Sequence, residues 1–170
     1  MRSISLLLIC GLAFALCGCA GYKLGPTGGN VAGEKSVQIV PFTNNTLEPR
    51  TGDALTEAMR KLIQRDGTFR LATHEPGDIV VTGAITAYTR VEETLSPTDA
   101  ATADNYRITM TAHVVARDRV SDKVVFDQSV TGATLVTVGS DLQSAERQAL
   151  PLVAENLARN ITALLVDGSW

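Results

Sequence analysis

Apolar and polar positions change their period several times along the chain, and each change predicts an element. Residues 36–42 are dense in β-formers (Val37, Ile39, Val40 and Phe42), between Gly33 and the turn-like run Thr43-Asn44-Asn45-Thr46. That density predicts a strand buried on both faces. Pro41 lacks an N–H and belongs near the strand's end. Over residues 49–66 the period becomes helical. Leu55, Ala58, Met59, Leu62 and Ile63 form one stripe, while Glu57, Arg60, Lys61 and Gln64 fall largely off it. Glu57 and Lys61 are spaced to support each other on the helix surface. Gly67 suits a left-handed cap after the last turn. Residues 69–72 predict at most a short extra strand, followed by a loop over 73–78.

Three longer strands follow. In the first, Ile79, Val81, Ile85 and Ala87 are expected on one face, with Thr82, Thr86 and Tyr88 on the other. In the second, Tyr106, Ile108, Met110, Ala112, Val114 and Ala116 alternate with Arg107, Thr109, Thr111, His113, Val115 and Arg117. Such long period-2 alternation predicts an antiparallel strand with one solvated face. Residues 119–122 fit a tight turn. Val124, Phe126 and Val130 are then expected to share a face of the third strand. Gly132 is read as a bulge or bend, because the apolar phase shifts afterwards to Ala133 and Leu135.

The last periodic stretch is a helix with Leu142, Ala145, Ala149, Val153, Leu157, Ile161 and Leu164 on its stripe. Ser140 and Gln143 are spaced as a capping box ahead of it. Pro151 removes a donor inside it and is expected to kink or divide it near residues 147–151. The predicted order is β-α-β-β-β-α. Two amphipathic helices need an apolar partner, and a sheet with one apolar face supplies it. The expected fold is therefore α+β: a four-stranded mixed or antiparallel sheet with two helices packed on one face and a Thr-rich face outward.

The N-terminal pattern is of a different kind. Arg2 precedes an almost unbroken apolar run over residues 4–16, of about thirteen residues, which suits the core of an export signal. A bilayer-spanning helix needs about 20. The run ends at Leu16-Cys17-Gly18-Cys19, which resembles a bacterial lipobox, with Cys17 departing from the usual small residue. This reading makes residues 1–18 a signal peptide and Cys19 a lipidated N-terminus. Residues 19–35 become a flexible linker rich in glycine, and 36–170 a single domain. Cleavage after Ala13-Phe14-Ala15 and an uncleaved anchor are the alternatives.

Charge and chemistry narrow the function. The chain has 15 bases and 18 acids, and losing Arg2 with the signal moves the net charge from −3 to −4. That composition argues against a nucleic-acid partner, which calls for a clustered basic surface. All three cysteines lie at or before Cys19, so the mature domain has no thiol for a disulfide, a metal or a nucleophile. No zincin, serine-hydrolase, phosphate-loop or dinucleotide motif occurs. The two histidines, His74 and His113, sit among polar neighbours and read as solvated side chains. No enzyme and no cofactor is expected.

Several stretches, in order, resemble the LptE-type lipopolysaccharide-assembly lipoproteins. Cys19-Ala20-Gly21-Tyr22-Lys23-Leu24-Gly25 is similar to that family's Cys-Gly-Tyr opening. Val37-Gln38-Ile39-Val40-Pro41-Phe42-Thr43-Asn44-Asn45-Thr46 is similar to its first strand and exit. Glu48-Pro49 with Leu55-Thr56-Glu57-Ala58-Met59-Arg60 is similar to its first helix, and Tyr106-Arg107-Ile108-Thr109-Met110-Thr111 to its central strand. The resemblance implies an outer-membrane lipoprotein on the periplasmic side, held by acyl chains on Cys19. It implies a seat inside the LptD β-barrel, support for that barrel's assembly, and help in delivering lipopolysaccharide to the outer leaflet.

A Thr-rich polar face suits the polar lumen of such a barrel, which makes Thr109 and Thr111 the expected partner-facing residues. Contact with lipopolysaccharide phosphates calls for exposed bases. Residues 92–105 contain Glu92, Glu93, Asp99 and Asp104 and no base. The bases left as candidates are Arg90, Arg107, Arg117, Arg119 and Lys123, which otherwise read as solvated strand ends. The alternative function is an envelope lipoprotein serving as a binding subunit of another secretion or efflux complex.

Overall fold

The computed structural model describes residues 33–92, 104–138 and 142–167. The elements are β1 (Ser36–Ile39), β2 (Thr43–Asn44), α1 (Thr51–Asp66), β3 (Arg70–Leu71), β4 (Ile79–Glu92), β5 (Asp104–Asp118), β6 (Val124–Val138) and α2 (Leu142–Asp167). The expected capping residue Ser140 and the loop over 93–103 lie outside the described residues.

The sheet has six strands rather than the four expected. Its order is β3-β1-β4-β5-β6, with β2 also paired to β4. The difference comes from two short pieces. The predicted first strand splits around Pro41, which has no donor for the ladder. Val40 N still donates to Val81 O at 3.0 Å before the break, and β2 resumes against Ala84 and Ile85. The short stretch after α1 forms β3, parallel to β1 with Ser36 opposite Arg70. β1 and β2 run parallel to β4, whereas β4-β5-β6 is an antiparallel meander. The sheet is mixed, as α+β logic allows.

Both helices contribute to one hydrophobic core on one side of the sheet. Leu55, Met59 and Ile63 from α1 meet Val153, Leu157 and Ile161 from α2, over Val37, Ile79, Val81, Ile85, Met110 and Val114. All of these side chains are fully buried. α1 ends where Gly67 adopts φ 75 and donates its N–H to Ile63 O at 3.3 Å, the left-handed cap that glycine makes without strain. α2 runs unbroken through Pro151, so the proline does not divide it. By length and mean hydropathy α2 is long and apolar enough to cross a bilayer. Its apolar stripe is instead spent on this core.

Two strand-phase expectations are corrected by register. A bulge falls between Ile85 and Ala87, so Ala87 pairs with the outward Thr111 and Tyr88 with the buried Met110. Tyr88 therefore packs against the core, and Ala87 faces out. In β6 the register runs straight through Gly132, opposite Met110, and the irregularity lies at Ala116/Arg117 instead. Val124 pairs with Arg117 and is 40% exposed, away from the core neighbours Phe126 and Val130. Gly132 serves close approach rather than a bend: a Cβ there would stand 2.4 Å from Leu157 N in α2. Leu135 is 53% exposed on the outer face, while Val136 packs on the core.

Candidate interaction surfaces

The side of the sheet away from the helices is built by three long strands, with threonines prominent among the outward residues. Thr109 and Thr111 stand near its middle, and both are half-buried by their neighbours. Across the strands Thr109 pairs with Thr89 and Ala133, and Thr111 with Ala87 and Thr131. The hydroxyls of Thr111 and Thr131 are 3.1 Å apart, and Thr86 Oγ1 donates to Thr111 O at 3.3 Å. Next along the face, His113 Nε2 and Asp127 Oδ1 are 3.1 Å apart, both half-exposed. Threonine fits here for two reasons. Its branched Cβ suits a strand, and its hydroxyl can bond a neighbour while leaving capacity for another partner. The result is a broad, hydroxyl-bearing surface with no large apolar patch at its centre.

The five candidate bases do not form one site. Arg117, Arg119 and Lys123 surround the β5–β6 turn at one end of the sheet. Arg90 and Arg107 lie toward the other end, near the ends of β4 and β5. Ten strand positions separate Arg107 from Arg117, or about 33 Å.

At the turn end the backbone is held by carboxylates. Asp118 Oδ1 accepts from Val120 N, Ser121 N and Ser121 Oγ at 3.0, 2.9 and 3.0 Å. These bonds hold the Asp118 carboxyl below its ordinary range, with Lys35 assisting. Asp78 Oδ2 accepts from Ser36 Oγ at 2.7 Å and Ser36 N at 2.8 Å. Those two bonds, helped by the charges of Arg119 and Arg70, lower the Asp78 carboxyl as well. Arg117 Nη1 pairs with Asp122 Oδ1 at 3.3 Å, and Arg119 Nε donates to Gly77 O at 3.1 Å. Lys123 is exposed beside them.

At the far end Arg90 is clamped. Its Nη2 bonds Glu48 Oε2, its Nε lies 2.8 Å from Glu146 Oε1, and its guanidinium sits 5.5 Å from the Tyr88 ring centre. Burial, and then the charge of Glu48, push the Tyr88 hydroxyl above its usual range. One cation thus joins the loop before α1, the end of β4 and the start of α2. Beside it an open groove of about 590 Å³ runs between the helices past Glu48, Asp53, Glu146 and Arg147. Arg107 faces outward, with Val91 and Leu135 as its cross-strand neighbours. Those neighbours are 59% and 53% exposed. Sequence reasoning missed the Glu48–Arg90–Glu146 clamp, because its members lie far apart in the chain. Among the described residues no group of His, Cys, Asp and Glu is placed to hold a metal.

The family model for lipopolysaccharide assembly, LptE, matches residues 34–165. The chain belongs to the LptE family. That match covers every described strand and nearly all of α2, so the fold and the family agree over the same residues. No curated protein sequence matches the chain significantly.

Solved structures share the LptE chain's fold at low identity. Protein CT253 from Chlamydia trachomatis has a TM-score of 0.59 and 13% identity, over 82% of this chain and 98% of that one. Protein XCC0632 from Xanthomonas campestris has a TM-score of 0.51 and 13% identity, over 85% and 94%. The minor lipoprotein from Acinetobacter baumannii has a TM-score of 0.50 and 16% identity, over 78% and 92%. These likenesses concern architecture alone.

Proposed function

We propose that this LptE-family chain is a non-catalytic, lipid-anchored subunit of lipopolysaccharide assembly. It seats its Thr-rich sheet face against the polar inner wall of an LptD-type β-barrel in the outer membrane. The observation that carries the reading is the hydroxyl-bearing face of β4-β5-β6, which no helix among the described residues covers, in a chain whose family is one of lipopolysaccharide assembly. A polar lumen is complementary to such a face. Acyl chains on Cys19 raise the local concentration of the domain at the membrane and favour capture by the barrel.

The experiment is recovery of partners from detergent extracts with the full chain as bait. A large β-barrel in the eluate supports the reading; recovery of secretion or efflux subunits in its place refutes it. Mass spectrometry of the mature N-terminus tests the anchor, with a diacylated or triacylated Cys19 expected. Contact with lipopolysaccharide phosphates divides into two separate tests, one for Arg117, Arg119 and Lys123 and one for Arg90 and Arg107. A single ligand headgroup cannot span both ends.

A further inference from the structure

β6 is the outermost strand of the meander, and among the described residues no strand pairs with its far side. It is fifteen residues long. Open edges of this kind are commonly blunted with lysine, proline or inward charge. β6 has none of these devices. Its only charged residue is Asp127, and from Gln128 to Val138 there is no charge and no proline. Val130, Thr131, Thr134, Val136, Thr137 and Val138 are β-branched. An uncharged, β-branched run on a free edge is the pattern that templates pairing with another copy.

The structure supplies protection from α2. Asn156 Oδ1 accepts from Ala133 N at 3.1 Å, and Asn160 Nδ2 donates to Thr131 O at 2.8 Å. The two asparagines are one helical turn apart, and the two backbone groups are two strand positions apart. Both groups point away from β5, toward the place a seventh strand would occupy. A neighbouring strand needs this donor and this acceptor at the centre of its ladder. Gly132 lets the α2 backbone come close enough for both amides to reach.

We infer that Asn156 and Asn160 form an edge guard, which occupies the middle of β6 and prevents a second copy of this chain from pairing along it. The guard acts whether or not the chain seats in a barrel. It leaves Ser129 and Leu135, which have the same outward parity, with amides open to water.

The test uses the full chain purified in detergent. In the wild type, hydrogen exchange should be slow at the Ala133 amide and fast at Ser129 and Leu135. Asn156→Ala/Asn160→Ala should raise the mass measured by light scattering from one copy to two or more. Adding Ser129→Pro, which removes an outward N–H at an edge position where proline is tolerated, should return it to one copy. Should the double variant not fold, Asn160→Ala alone, at an exposed helical position, frees the Thr131 carbonyl and should show the same rise with concentration. Equal exchange at all three amides overturns the guard. So does a folded variant that stays single-copy, or association that survives the proline.

Discussion

Gly132 and Leu157 are in backbone contact. A Cβ built on Gly132 would stand 2.4 Å from Leu157 N and 2.6 Å from Leu157 Cα. Both neighbours are main-chain atoms of a helix, so they cannot move aside as a flexible side chain does. Gly132→Ala should therefore lift α2 off β6 and lengthen the Asn156 and Asn160 bonds. Overpacking of this kind costs about 1–3 kcal/mol. For a chain of this size that is a fall in melting temperature of roughly 2–12 °C. A thermal melt within a degree of the wild type would show that the helix tolerates displacement.

Asp78 joins the start of β1 to the start of β4 through Ser36. Because its carboxyl is held below the unfolded value, the ionised form favours the fold. That contribution is present above the ordinary carboxyl value of 3.8 and disappears as pH falls through the lower folded value. Asp118 has the same sign, through Ser121. Melting temperature should thus hold between pH 7 and 5 and fall below about pH 4. Asp78→Asn should lower the melt at neutral pH and make the acid fall shallower. An acid limb identical to wild type would place the linkage elsewhere.

The parts of this fold legible in the sequence were those with one solvated face. Residues 106–117 alternate cleanly because Ile108, Met110, Ala112 and Val114 are buried while Arg107, Thr109 and His113 meet water. α1 carries its stripe for the same reason. β2 and β3 are two residues each and carry no period. Ala87 and Tyr88 are both compatible with either face, so the bulge that exchanges them left no mark in the pattern. The family resemblance was readable from local motifs and is confirmed over residues 34–165, whereas Cys19 and the expected signal lie outside the described residues. The division of the candidate bases between two ends required the β5 register. Asn156 and Asn160 carry no mark of their edge contacts in the sequence pattern, since their partners lie 23 and 29 residues away.

The proposed barrel contact makes a separable prediction at Thr109 and Thr111. Both side chains lie on the outward face, and neither belongs to the core cluster. Thr109→Arg and Thr111→Trp should leave the melt within about 1 kcal/mol of wild type, as surface substitutions commonly do. Recovery of the barrel should fall at least tenfold, because a large side chain props the face away from its seat. Unchanged recovery with a folded chain would remove this face from the interface while leaving family membership intact.

Arg90 offers the sharpest distinction between fastening the fold and binding a ligand. Its Nη2 and Nε serve two different carboxylates, Glu48 and Glu146, across three segments of chain. Lysine has one ammonium on a flexible stem and cannot reproduce that fork. Side-chain exposures of 40, 24 and 17% for Arg90, Glu48 and Glu146 reduce the electrostatic gain by solvent screening. Arg90→Lys should therefore cost only about 1 kcal/mol overall. Its effect should be local: faster hydrogen exchange at residues 144–150 of α2 and over residues 45–50, with β5 unchanged. Glu146→Gln should give the same regional pattern, because it removes the opposite half of one pair. If Arg90 instead serves an anionic ligand, Arg90→Lys should weaken lipopolysaccharide binding without loosening either segment, and Glu146→Gln should leave binding intact or strengthen it.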